Sequence, residues 1–226
     1  MNPGSQSHIL AAKWIDQDPL VIGNTVFQED LTAMIISAGL SYMRGIALIP
    51  ARLEANEQNS AVDRVIVDAS EVAFSKNSVS GSQIQIVSTY GEKLDNVDAI
   101  NKIILGRVEK KHSRGIGYSE NVNLAVLVTQ DDWKVDINEL VEKIFKERRY
   151  EGYWIILPLM TDGKHARFAV NYLYPEQEHS KRGEAQLVVD ITDEVEVRHL
   201  YFYGQDGMLD NLVEYLKFKH KADKVS

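Results

Sequence analysis

The chain has 226 residues, of which 44% are hydrophobic and 26% charged, the balance of a globular protein large enough to bury a core. It contains no cysteine, which excludes disulfides and thiolate metal sites, and its net charge of −8 argues against a generally basic nucleic-acid coat. The apolar runs are too short to cross a bilayer and the amino terminus lacks a secretory pattern, so we expect a cytoplasmic protein without a membrane partner.

Hydrophobic spacing organises the first half of the chain. It predicts an irregular arm over residues 1–27, a helix over 28–43, an extended segment over 46–53 and a β-branched strand over 62–68. Turn residues then lead into an antiparallel strand over 82–90, with Ile84 and Ile86 on one face and Gln83, Gln85 and Val87 on the other. A 3.6-residue stripe predicts a helix over 96–111.

The second half begins with another alternation of strand and helix. An apolar strand is expected over 122–129, a helix over 136–147 opened by a capping box at Asp136 and Glu139, and a strand over 152–159. Consecutive strands follow near 166–175, 185–191 and 195–203, and Asp206 caps a last helix. This order predicts an α/β fold with a mixed central sheet flanked by helices and an antiparallel C-terminal extension, divided into a core over 28–160 and strands plus a helix over 161–226 packed on the same domain.

The order helix–strand–strand–strand–helix–strand, over roughly residues 28–157, resembles the core of the restriction-endonuclease-like fold, the PD-(D/E)XK superfamily. Three features carry the resemblance: Asp63 at the entrance of the second strand, the triplet Gln83-Ile84-Gln85 on the third, and a helix bearing basic residues before the strand NLAVLV. The motif is degenerate, so the resemblance is one of fold.

The resemblance implies a catalytic site at Asp63, Gln83 and Gln85. In the superfamily the first two positions hold carboxylates that bind a divalent cation, usually magnesium, and the third holds a lysine that positions the attacking water. Here both positions on the third strand are neutral amides, which bind a cation much more weakly than a carboxylate does. One alternative is that the second acid has moved to another position, with Asp68 or Glu71 as candidates; Asp63 and Asp68 would then be the metal ligands. The other alternative is that the site is inactive.

Each of these residues also has an ordinary structural interpretation. Asp63 marks the entrance of a strand, and Gln83 and Gln85 suit hydrogen bonds between strands on a half-buried face. Lys102, Arg107, Lys110 and Lys111, together with Arg114, suit phosphate contacts beside the third strand, although such clusters are commonly solvated helix faces. The six histidines lack the spacing of a zinc site.

We therefore predict a nuclease-like protein that acts on or binds nucleic acid through a degenerate metal site, with either magnesium or no cofactor. Whether the chain is an active enzyme is left open by the sequence. The alternatives are a non-enzymatic DNA- or protein-binding module on the same scaffold and an α/β domain of unrelated function. A homodimer is the further partner considered.

Overall fold

The computed structural model describes residues 25–45, 47–51, 62–68, 81–96, 99–130, 134–161, 166–174, 183–191 and 195–199. Within these ranges the chain forms an eight-stranded mixed sheet and three α-helices, which confirms the predicted α/β class. The predictions for residues 1–24, Glu71 and the helix opened by Asp206 lie outside the described residues.

The elements follow one another in the predicted order. They are α1 Thr25–Arg44, β1 Leu48–Ala51, β2 Arg64–Asp68, β3 Gly81–Ser88, α2 Ile100–His112, β4 Val122–Leu127, α3 Ile137–Lys146, β5 Tyr153–Thr161, β6 Ala166–Tyr174, β7 Gly183–Ile191 and β8 Val195–His199. Helix α1 begins at Thr25, so the predicted arm over 1–27 is wrong for its last three residues. Helix α2 begins at Ile100 rather than near 96.

The strands lie side by side in chain order. Strands β1, β2 and β3 pair antiparallel, β3, β4 and β5 pair parallel, and β5 to β8 pair antiparallel. The two parallel connections contain α2 and α3, as parallel pairs require a crossover. The antiparallel strands predicted near the C-terminal end thus continue the central sheet.

The middle of helix α1 is buried on all sides because the sheet curls around it. Every residue from Leu31 to Ser37 is buried, although a helix on an open sheet would bury a single stripe. Its core includes Ile66 of β2, Ile84 of β3 and Leu187 of β7, and α1 also contacts β8. The two ends of the sheet therefore meet the same helix.

Helices α2 and α3 cover the opposite face, where they pack on Leu124 and Val126 of β4 and on β5. Asp136 caps α3 by accepting a hydrogen bond from the Glu139 backbone N–H at 3.1 Å, which confirms half of the predicted capping box. The Glu139 carboxylate instead accepts from Asn101, which ties α3 to α2. Among the described helices, none has the length and apolar character needed to span a membrane.

Candidate functional site

The predicted site residues share one face of the sheet. Val65 lies opposite Gln83 and Arg64 opposite Ile84, so Asp63, one residue before β2, lies at the level of Gln85. Strand alternation then places Asp63, Gln83 and Gln85 on the face that α2 and α3 cover. The Cα atoms of Asp63 and Gln83 are roughly 8 Å apart, from one strand spacing and two residues of rise.

The Asp63 carboxylate closes the end of the β2–β3 ladder. Its Oδ2 accepts a hydrogen bond from the Ile86 backbone N–H at 2.6 Å, and its own backbone N–H donates to the Ile84 carbonyl at 3.0 Å. A side-chain oxygen here satisfies an amide that the neighbouring strand leaves without a ladder partner. The structural role expected for a strand entrance is therefore present, and it engages one carboxylate oxygen.

The two glutamines occupy different environments. Gln83 is exposed, whereas Gln85 is 1% exposed and its Oε1 accepts a hydrogen bond from the hydroxyl of Tyr150. The tyrosine comes from the loop before β5 and reaches across β4 to β3. Of the two amides, only that of Gln83 faces solvent.

The structure separates the two predicted metal ligands. Asp63 and Asp68 lie at opposite ends of β2, five residues apart in extended chain, or about 16 Å. The prediction that they share a cation is therefore wrong. Across the described ranges there is no group of three or more histidine, aspartate or glutamate side chains arranged to hold a metal ion.

Sequence reasoning missed an internal ion cluster at this end of the sheet. The buried Arg64 guanidinium binds Glu29 of α1 at 2.8 Å and Asp30 at 2.9 Å, and it donates to the Asp63 carbonyl at 2.6 Å. Burial raises the pKa of Glu29, the negative charge of Asp63 raises it further, and Arg64 opposes both. Arg64 thus supplies a positive charge that pairs with Glu29 and Asp30 inside the protein.

The basic residues of α2 divide into two groups. Lys102 is exposed near the first turn, and Arg107 is bound by Glu92 at 2.7 Å, beyond the C-terminal end of β3. Lys110 and Lys111 lie in the last turn, close to where β4 begins. The four predicted nucleic-acid contacts therefore lie at different levels along α2, and their role stays a prediction.

Lys111 is the residue of α2 that faces the predicted site. It is half-buried, and burial lowers its pKa while the charges of Asp63 and Glu29 act in the opposite direction. The neighbouring ring of His112 stacks on that of Tyr150, with centroids 5.9 Å apart, which places this turn over Gln85. Beyond the helix, exposed Arg114 lies 5.4 Å from the centre of the Tyr118 ring.

A second element brings further positive charge to the same end. The loop after α3 carries Arg148 and Arg149, and Arg149 is close enough to His112 to lower its pKa. Arg148 is held by the carbonyl of Tyr150 at 3.1 Å. The pair is visible in the sequence, but only the parallel β4–β5 topology shows that the C-terminal ends of α2 and α3 lie together.

We call Lys110, Lys111, Arg114 and Arg149 the basic end. It combines residues from two separate elements, and its Lys111 lies close to Asp63. No protein-family model, curated protein or solved structure matches this chain, so its function has to be argued from this geometry.

Proposed function

We propose that this chain is a nucleic-acid-binding protein with a restriction-endonuclease-like core, in which the basic end contacts phosphate and the former metal site does not support efficient cleavage. The observation that carries the proposal is that Lys111 lies close enough to Asp63, Lys110 and Arg114 to interact with their charges. Arg149 lies close to the neighbouring His112. The order α1-β1-β2-β3-α2-β4 supports the choice of scaffold.

Phosphate binding requires local positive charge rather than a basic protein. Lys110 and Arg114 are exposed, and they are four residues apart in the chain, on either side of the end of α2. Side chains of this kind fix the position of a nucleic-acid backbone without reading its sequence. An acidic body confines the favourable contacts to the basic end, so binding is expected to be weak and strongly dependent on salt.

The same geometry argues against efficient magnesium-dependent hydrolysis. Magnesium is usually held through one or two carboxylates and dehydrates reluctantly. The Asp63 carboxylate has one oxygen bound to a backbone amide, Gln83 is uncharged, and Gln85 has its oxygen bound by Tyr150. The nearest additional carboxylate that we identify, Glu29, is already paired with Arg64.

Binding is tested by fluorescence anisotropy with labelled 20-nucleotide duplex and single-stranded DNA and RNA at salt concentrations from about 50 to 200 mM. The Lys110→Glu/Arg114→Glu variant should lose at least about tenfold in affinity and show a smaller salt slope. Lys102→Glu is the matched control for the helix, since this lysine is exposed on α2 at its other end. Equal losses in both variants, or no binding by the unmodified protein, would overturn the proposal.

Cleavage is tested separately with supercoiled plasmid and calorimetric titration of magnesium. We expect weak magnesium binding and little nicking by the unmodified protein. Gln83→Glu should raise magnesium affinity because the exposed side chain shares a face with Asp63, and adding Gln85→Lys restores the whole motif at the cost of the Tyr150 hydrogen bond. Brisk nicking by the unmodified protein would show an active metal site and refute the inactive assignment.

A further inference from the structure

His112 occupies a buried position in the last turn of α2. The residue is 6% exposed, and its Nε2 lies 3.0 Å from the hydroxyl oxygen of Tyr153 at the start of β5. The ring of Tyr150 stacks on one side, and Tyr153 meets the imidazole edge at a centroid distance of 6.0 Å. The histidine thus joins α2 to the loop that precedes β5.

The surrounding hydrogen bonds fix the proton positions in this pair. The Tyr153 oxygen accepts from the backbone N–H groups of Arg149 at 3.1 Å and Tyr150 at 3.3 Å. Two donors therefore already point at this oxygen, and its own hydrogen is left to donate to His112. This arrangement is satisfied by a neutral imidazole that accepts at Nε2 and carries its proton on Nδ1.

A second proton on His112 has no place in this arrangement. It would put an N–H at Nε2 against an oxygen that already accepts two hydrogen bonds, and the tyrosine hydrogen would lose its acceptor. Burial lowers the His112 pKa and the charge of Arg149 lowers it further, whereas Glu147 of the same loop and Glu109 of α2 raise it. The charge is thus disfavoured by both packing and hydrogen bonding.

We propose that His112 and Tyr153 form an acid-sensitive latch that holds residues 147–150 against the end of α2. Protonation of His112 breaks its contact with Tyr153 and releases the amides of Arg149 and Tyr150. Because Tyr150 also donates to Gln85, the released loop loosens its contact with β3. The latch is a property of the fold and does not depend on nucleic-acid binding.

Residue-resolved hydrogen exchange by NMR tests the latch on the full chain at about pH 7.5 and about pH 5.5, with rates converted to protection factors. In the unmodified protein we expect the Arg149 and Tyr150 amides to lose roughly fivefold in protection at the lower pH, the effect of one weakened hydrogen bond. The Leu48 amide, which donates to the Ser41 hydroxyl at 3.0 Å between α1 and β1, serves as an internal reference.

A variant at position 112 separates the effect of His112 protonation from a general loss of protection at low pH. His112→Gln retains an acceptor for Tyr153 but cannot be protonated, so its protection should be the same at both pH values.

Tyr153→Phe provides the second perturbation. It removes the oxygen that both amides use, so their protection should be low at both pH values even if His112→Gln folds poorly. The latch is refuted if the unmodified protein keeps full protection at the lower pH, or if His112→Gln loses as much protection as the unmodified protein.

Discussion

Replacing Arg64 by methionine should lower the free energy of unfolding substantially, because it breaks the ion cluster that Arg64 forms with Glu29 and Asp30. The guanidinium links α1 to β2 through Glu29 and Asp30, and it also donates to the carbonyl of Asp63. Methionine keeps much of the apolar length of the side chain. The variant therefore removes the charge and the hydrogen bonds while it preserves part of the packing.

The magnitude follows from how far the three charges are removed from water. The Arg64 side chain is 8% exposed, and those of Glu29 and Asp30 are 18% and 13% exposed. Removing one partner of a fully buried pair costs about 3 to 5 kcal/mol, whereas an exposed pair contributes about 0 to 1 kcal/mol. Since the carboxylates keep some solvent, we expect a loss of about 3 kcal/mol in the free energy of unfolding.

Urea denaturation at neutral pH measures this loss, with Lys143→Met as the control. Lys143 pairs with Glu139 at 2.6 Å on the surface of α3, but the two side chains are 56% and 38% exposed. Its replacement should cost less than about 1 kcal/mol. If Arg64→Met costs no more than Lys143→Met, the ion cluster does not hold α1 to the sheet and the reasoning fails.

The cost of Arg64→Met should also depend on pH. The folded-state pKa of Glu29 is raised, so the folded chain holds this proton more tightly than the unfolded chain does. Ionisation of Glu29 therefore lowers stability as the pH rises through and above its ordinary value of 4.5. Loss of Arg64 raises the pKa further, and the cost of the substitution should shrink as the pH falls toward 4.5. A cost independent of pH would exclude Glu29 as its source.

The remaining predictions concern packing near the site and can be measured by the same denaturation experiment. Tyr150→Phe removes the hydrogen bond that the Tyr150 hydroxyl donates to the buried Gln85 Oε1 and should cost about 1 to 3 kcal/mol; a neutral effect would show that this hydrogen bond is not formed. Gly106→Ala should stabilise by about 1 kcal/mol, because a Cβ in this helix meets no atom within 4 Å. Gly152→Ala should instead destabilise by more than about 1 kcal/mol, because its Cβ would lie 2.6 Å from the ring of Tyr172; an equal response at both glycines would contradict the packing described for them.

The sequence was sufficient for the local elements but not for the curvature of the sheet. β-branched runs located the strands, and 3.6-residue stripes located the helices to within a few residues. The pattern predicted a stripe on α1, yet seven consecutive residues from Leu31 to Ser37 are buried. That burial comes from strands such as β7, far along the chain, and no local spacing encodes such contacts.

The part of the candidate site that could be predicted is the sheet face on which its residues lie, because strand alternation alone determines that face. Alternation placed Gln83 and Gln85 on one face, and the β2–β3 register confirms it. The same rule could have excluded a cation shared by Asp63 and Asp68, since their odd spacing along a strand points the side chains to opposite faces. The contacts of Arg64 with Glu29 and of Tyr150 with Gln85 join distant parts of the chain, so periodicity could not reveal them.

The sheet separates the positive charges near Asp63 into two sets, one on each face, and the two sets differ in how accessible they are to a ligand. On the α1 face, Arg64 is fixed by two acids and a carbonyl, so its charge is already satisfied within the protein. On the opposite face, Lys110 and Arg114 remain exposed, and Lys111 faces Asp63 from above. A polyanion gains most by approaching the second face, because contact with the first would first have to break buried ion pairs. Any nucleic acid bound by this chain should therefore lie across the ends of α2 and α3.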